Sequence, residues 1–210
     1  GIFTAFPSHD VHGSLTQMLC HHGLTQSYIA ESEKYAHITY FFNGGYGHKL
    51  YDEEWVRIPS PNVTHYEKVP AMSTIAIRNT IIARIKKGRQ IIIANFSSAD
   101  MIGHTGNEVA ARKALAILDE SIKTIVQKTK KYATIIVTAD HGNVEWMRDA
   151  TTKEVITEHT KNPVPFVLVS EQYRGKRLRT HGRLADIAPT ILQLLNIAKQ
   201  KEMTGKSLLS

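Results

Sequence analysis

Two aspartates and three histidines fall in three short polar stretches of this sequence, SSADMIGHTG, TADHGN and EHTKNPVP. In the first, Asp100 and His104 are separated by four, so one turn of chain can aim a carboxylate oxygen and an imidazole nitrogen at one point. Gly103 and Gly106 would let the backbone bend tightly there. In the second, Asp140 and His141 are adjacent, and adjacent residues on a regular strand point to opposite faces. They reach one region only if the chain leaves strand geometry, and Gly142 offers that freedom. In the third, His159 sits in a loop whose end is stiffened by Pro163 and Pro165. Each stretch also has a plain structural reading: Asp100 as a helix cap beside a solvated His104, Asp140 as a turn residue beside an incidental His141, and His159 as an exposed loop residue. Taken together, the carboxylates and imidazoles are the hard and borderline ligands used by Mn²⁺, Zn²⁺ and Fe²⁺. The single cysteine, Cys20, lies in none of the three stretches, which argues against a structural zinc site.

Something must bring these stretches together, and the apolar pattern supplies it. Runs with the look of buried strands alternate with longer segments of helical spacing. The predicted strands are Ile2–Phe6, Ser27–Ala30, Trp55–Ile58, Gln90–Phe96, Thr134–Ala139 and Pro165–Val169; the predicted helices are 12–22, 34–42, 72–86, 107–130 and 185–195. Such alternation implies an α/β layered fold with a largely parallel sheet. The continuous runs IIIANF and TIIVTA are expected at its centre, buried on both faces. Ligands of open α/β sheets bind beyond the carboxyl ends of the strands. Two of the polar stretches follow such ends, and the third immediately precedes the strand PFVLV.

A length of 210 residues suits one domain, and no linker, repeat or low-complexity segment divides it. No run approaches the roughly 18 apolar residues of a membrane span. The first residues carry no basic region ahead of an apolar stretch, and one cysteine supports no disulfide framework, so a soluble, cytoplasmic setting is expected. On that footing the Asn-x-Ser/Thr triplets at Asn62 and Asn95 are chance matches. The net charge of +7 gathers in KKGR, KTKK and RGKRLR. None of these is interleaved with aromatics able to stack bases, nor set in a zinc-finger or helix-turn-helix pattern, so solvated surface charge is preferred over nucleic-acid binding. GKS at Gly205–Ser207 lacks the earlier glycine of a phosphate-binding loop, since position 200 is Gln200. The NGGY turn lacks GxGxxG spacing.

The motifs ESEKYAHITYFFNGG, IPSPNV, ANFSSADMIGHTG, TADHGN, EHTKNPVPF, GRLADIAPTILQLL and EMTGKSL occur in this order. From AFP near the start to EMTGKSL at the end, the chain resembles the C-terminal portion of cofactor-independent (2,3-bisphosphoglycerate-independent) phosphoglycerate mutase, of the alkaline phosphatase superfamily. ADHG alone would indicate only the superfamily; EKYAHITYFFNGG joined to DMIGHTG narrows it to the mutase. The resemblance implies an α/β/α sandwich and a cytoplasmic, glycolytic enzyme, monomeric, acting on 2- and 3-phosphoglycerate through a phosphoserine intermediate. It implies that Asp100, His104 and His159 hold one Mn²⁺, that Asp140 and His141 contribute to a second, and that Lys34 helps hold the transferred phosphoryl group. Without the resemblance, Lys34 reads as a surface lysine at a helix start.

Family members are considerably longer. An N-terminal segment brings their nucleophilic serine and another metal-binding aspartate, and an inserted domain binds substrate; neither is found in these residues. Ser97 and Ser98 lie near the expected site but not in the family's nucleophile motif. The first ion would have three ligands here and the second only two. The expectation is a chain that holds one ion, loses the second readily and is inactive alone. Another superfamily phosphatase or phosphopentomutase, and a noncatalytic metal-binding fragment, stand as alternatives.

Overall fold

Parallel strands cannot be joined by tight turns, so the chain must cross over between them, and it does so through helices. A computed structural model describes Thr4, Ala5 and residues 11–210. Helix α1 (Leu15–His21), whose N-terminus is capped by Ser14 Oγ accepting from the Gln17 N–H, leads into β1 (Gln26–Glu31). A 3₁₀ turn (Ser32–Lys34) and a π turn (His37–Phe41) follow, then β2 (Glu53–Ile58), α2 (Thr74–Lys86) and β3 (Ile91–Ala94). The three strands pair in parallel in the order β2-β1-β3, with Tyr28 between Trp55 and Ile93.

Strand β1 is buried along its whole length. Its side chains alternate between two cores, as the two-residue period of a strand requires. Ile29 packs with Ile77, Ile81 and Ile82 of α2 and with Ile125 of α4 (Glu108–Thr129). Tyr28 and Ala30 pack on the other face with Ile38, Trp55 and Ile93. Beyond β3 the chain forms a six-residue helix, α3 (Ser98–Gly103), which lies on α4 through Ile102 and the small residues Ala110, Ala111 and Ala114. Those alanines allow a close approach, so α3 is fixed against the longest helix in the molecule. Helix α5 (Ile187–Leu194) closes on α1 through Leu192.

Strands β4 (Ile135–Thr138) and β5 (Phe166–Val169) pair antiparallel, Ile135 opposite Val169 and Thr138 opposite Phe166. The register continues past the strands, to within two residues, in bridges between Gly142 and Thr160 and between Arg148 and Val155. Residues 135–169 are therefore one interrupted antiparallel ribbon.

The α/β class and the parallel sheet are as the alternation implied. Three expectations are corrected. Among the described residues β3 ends the three-stranded sheet and β4 pairs only with β5, both half-buried, so neither run occupies a doubly covered centre. An apolar run records burial but not which edges are hydrogen-bonded. The single helix expected over 34–42 is a 3₁₀ turn and a π turn, the latter marked by the Phe42 N–H donating to the His37 carbonyl five residues back at 3.1 Å. Helix α3 was not expected as a helix. The predicted strand Ile2–Phe6 falls outside the described residues except at Thr4 and Ala5, which are not in a strand. No helix among the described residues is long and apolar enough to cross a membrane.

Helix α2 is tied to the sheet by charge as well as packing. Arg84 donates from Nε and Nη2 to the two oxygens of Glu54, at 2.6 and 2.7 Å, and Ser27 Oγ donates to the same carboxylate at 2.9 Å. The Arg84 hydrogen bonds hold the Glu54 carboxyl below its ordinary range. A depressed carboxylate contributes stability above its unfolded value, about 4.3, and loses it as pH falls through the lower folded value. Glu54→Gln is expected to cost about 1 kcal/mol at pH 7. The gap between variant and unaltered protein should narrow toward pH 3, read as urea-unfolding midpoints at both pH values.

Candidate metal centre

The site begins where β1 and β3 end. Glu31, the last residue of β1, is fully buried, and Ser97 Oγ donates to its Oε1 at 2.5 Å. Thr74 Oγ1, at the start of α2, donates to Ser98 Oγ at 3.2 Å. Both serines are buried, so each anchors the start of α3 to the scaffold and neither offers an accessible hydroxyl.

Anchored in this way, α3 presents Asp100 and His104 one turn apart. His159 arrives from the far side of the ribbon. Asp100 Oδ1 lies 3.1 Å from His104 Nε2 and 3.2 Å from His159 Nε2, and the two nitrogens are 3.2 Å apart. The three atoms form a nearly equilateral triangle. An ion held by bonds of about 2.1 Å would see its ligands at angles of roughly 95–100°, between octahedral and tetrahedral values. One carboxylate and two imidazoles leave a divalent cation partly uncompensated and leave further coordination positions open. That donor set fits Mn²⁺, Fe²⁺ or Zn²⁺. Among the described residues this is the one group of His, Cys, Asp or Glu side chains so convergent.

Lys34 reaches the same carboxylate from the other side. Its Nζ stands 2.5 Å from Asp100 Oδ2, with the two side chains 13% and 14% exposed. The lysine read as a surface residue from local sequence is therefore enclosed, because the 3₁₀ turn after β1 directs it back over the strand ends. Burial pushes the Asp100 carboxyl up, but the hydrogen bonds from Lys34 and Asn143 and the lysine charge outweigh it, and the net shift is downward. Asp100 is thus held as the anion, the form a cation requires.

His141 and Asp140 differ in their surroundings. The His141 ring stacks on His159 at a centroid distance of 3.5 Å, with planes 11° apart. Asp140 points outward, its side chain 64% exposed and 3.6 Å from His141 Nε2. The structure thus gathers Asp100, His104, His159 and Lys34 in direct contact, sets His141 against His159, and leaves Asp140 at the rim. Gly142 contributes room, not an unusual backbone: a Cβ there would overlap Glu145 Oε1 and Thr160 Oγ1. That close approach lets Glu145 clasp the ribbon. Its carboxylate accepts from the Asn143 N–H at 2.8 Å, from Asn162 Nδ2 at 3.0 Å and from the Thr160 hydroxyl.

With this geometry in place, the family follows from comparison. The profile of the Metalloenzyme superfamily matches residues 5–199. The chain belongs to the Metalloenzyme superfamily. It is 45% identical over 207 residues to a 2,3-bisphosphoglycerate-independent phosphoglycerate mutase of Clostridium botulinum, a match covering 98% of this chain and 40% of that protein. A 2,3-bisphosphoglycerate-independent phosphoglycerate mutase 2 of Methanosarcina barkeri is 47% identical over 207 residues, covering 98% and 39%. Leishmania mexicana phosphoglycerate mutase, in a crystal structure at low cobalt concentration, superposes with a TM-score of 0.83 at 30% identity, covering 91% of this chain and 38% of that one. The chain spans about 40% of the length of the curated relatives it matches.

Membership of the Metalloenzyme superfamily agrees with a convergent donor set, and the solved mutase shares the expected alkaline-phosphatase-like fold. Sequence reasoning overlooked Glu31, Asn143 and Glu145. Asn143 stood inside the TADHGN motif and could have been weighed as a polar residue beside candidate ligands; Glu31 and Glu145 carried no local signal. Glu145→Ala removes an acceptor shared by three donors. The amide of Thr160, which donates to the Gly142 carbonyl at 2.9 Å, is expected to exchange its hydrogen about five- to tenfold faster, with α2 amides unchanged. Hydrogen-exchange mass spectrometry resolves the two regions.

Proposed function

We propose that this chain is the metal-binding part of a 2,3-bisphosphoglycerate-independent phosphoglycerate mutase, a cytoplasmic, monomeric glycolytic enzyme that interconverts 3- and 2-phosphoglycerate through a phosphoserine. Residues 1–210 would form one unit of its phosphatase-like domain. The observation that carries this reading is the triangle of Asp100, His104 and His159 with Lys34 against its outer edge.

Asp100, His104 and His159 would hold one Mn²⁺, and Asp140 and His141 would contribute to a second. Bound divalent ions neutralise phosphoryl oxygens and lower the pKa of an attacking hydroxyl. The chain's own residues do the rest. Lys34 keeps a fixed positive charge beside the ligand cluster, where a phosphoryl oxygen would otherwise meet the Asp100 carboxylate. His159, stacked on His141, keeps the two proposed sites adjacent. Phosphoryl transfer asks mainly for such placement of charge. The nucleophilic serine and a further aspartate ligand would come from the part of the longer protein outside these residues, since Ser97 and Ser98 are committed to anchoring α3.

The test supplies the missing segments from a homologous mutase and measures 2-phosphoglycerate formation from 3-phosphoglycerate with Mn²⁺ and no added bisphosphoglycerate. Activity is expected, and His104→Ala and Asp140→Ala should each reduce it by at least about a hundredfold. Phosphate release without isomerisation, or activity indifferent to both substitutions, would refute the assignment. Separately, the chain alone should retain one Mn²⁺ equivalent after dialysis and lose the second. Two tightly held equivalents by elemental analysis would contradict the two-ligand second site.

A further inference from the structure

Asn143 touches both Asp100 of α3 and His104, the residue that caps its C-terminus. Its Nδ2 stands 2.7 Å from Asp100 Oδ1, 3.2 Å from His104 Nε2 and 3.4 Å from the Asp100 carbonyl oxygen. The residue is only 6% exposed. Neighbours settle which end of its amide faces the triangle: an oxygen there would meet the Asp100 carboxylate acceptor to acceptor.

We propose that Asn143 is a positioning residue of the metal centre, its side-chain N–H fixing Asp100 Oδ1 so that the three ligand atoms are pre-arranged for a divalent cation. The proposal rests on the reading of Asp100, His104 and His159 as the ligand set. A carboxylate oxygen has two lone pairs, and a donor on one leaves the other free for a cation. Lys34 already holds Oδ2. With both oxygens engaged, the carboxylate cannot turn about its Cβ–Cγ bond, and it presents Oδ1 alone toward the imidazoles.

The slot for this amide is built into α3. A Cβ on Gly103 would overlap Asn143 Oδ1 and Cγ and would stand 3.1 Å from Val144 Cγ1, so a side chain at 103 would displace the amide. At its other end Asn143 is held through its backbone N–H by Glu145 Oε2, in the clasp that also binds Thr160 next to His159. Asn143 therefore links the ribbon carrying His159 to the helix carrying Asp100 and His104. The link sets the spacing of ligands that come from different parts of the chain.

The test is a double-mutant cycle read by calorimetric titration with Mn²⁺ and with Zn²⁺. Asn143→Ala and Gly103→Ala should each weaken the first ion by about 10- to 100-fold, the range for partners that orient metal ligands. The double variant should bind no more weakly than Asn143→Ala, because no amide remains for the new methyl group to displace. A residue that only supported folding would instead show its losses, and their coupling, in metal-free thermal stability, with the metal affinity of the folded variants unchanged. If Asn143→Ala does not fold, the unaltered protein still decides: the ¹H–¹⁵N side-chain signals of Asn143 should shift with the midpoint of the first Zn²⁺ equivalent. Equal affinity in Asn143→Ala, additivity in the cycle, or amide signals indifferent to Zn²⁺ would each overturn the role of Asn143. An unaltered protein that binds neither ion overturns the ligand reading itself and this proposal with it.

Discussion

The Asp100 carboxylate is 14% exposed at the strand ends, and a charge withdrawn that far from water must be compensated at each oxygen. Lys34 answers one oxygen and Asn143 the other, while His104 and His159 close around the second. These four partners belong to three separate stretches of chain: the turn after β1, the helix after β3 and the ribbon beyond β4. Much of the architecture can be understood as what is needed to bring those stretches to one carboxylate.

The scaffold meets that demand by rigidity at different scales. Strand β1 is buried on both faces and ends in Glu31, whose bond from Ser97 sets where α3 begins. Helix α4 then supports α3 through a face of alanines, so the i, i+4 pair is presented by a short helix braced along its length. A six-residue helix would not hold its shape alone, since helix formation pays a nucleation cost that so few residues cannot recover. Its order comes from Ile102 and the anchoring serines.

The ribbon solves a different problem. His141 and His159 are distant in sequence but face each other because the antiparallel register of β4 and β5 persists beyond the strands. Gly142 lets the two arms approach, Glu145 ties them, and Asn143 joins them to α3. Electrostatics and packing are coupled here: the glycines at 103 and 142 matter for the space they leave to polar side chains.

Sequence alone determined the α/β class, the i, i+4 placement of Asp100 and His104, and the positions of most helices, because apolar periodicity acts within a few positions of the chain. The long helix ended near Lys130 and the strand leading to Asp140 were both legible in this way. Tertiary structure alone decided that β3 and β4 belong to different sheets, that Lys34 turns inward, that Asp140 stays at the rim, and that Asn143 and Glu145 hold the centre together. Each of these depends on contacts between residues far apart in the chain. Local pattern records how much of a segment is buried, whereas the identity of its partner is fixed only when the segments meet.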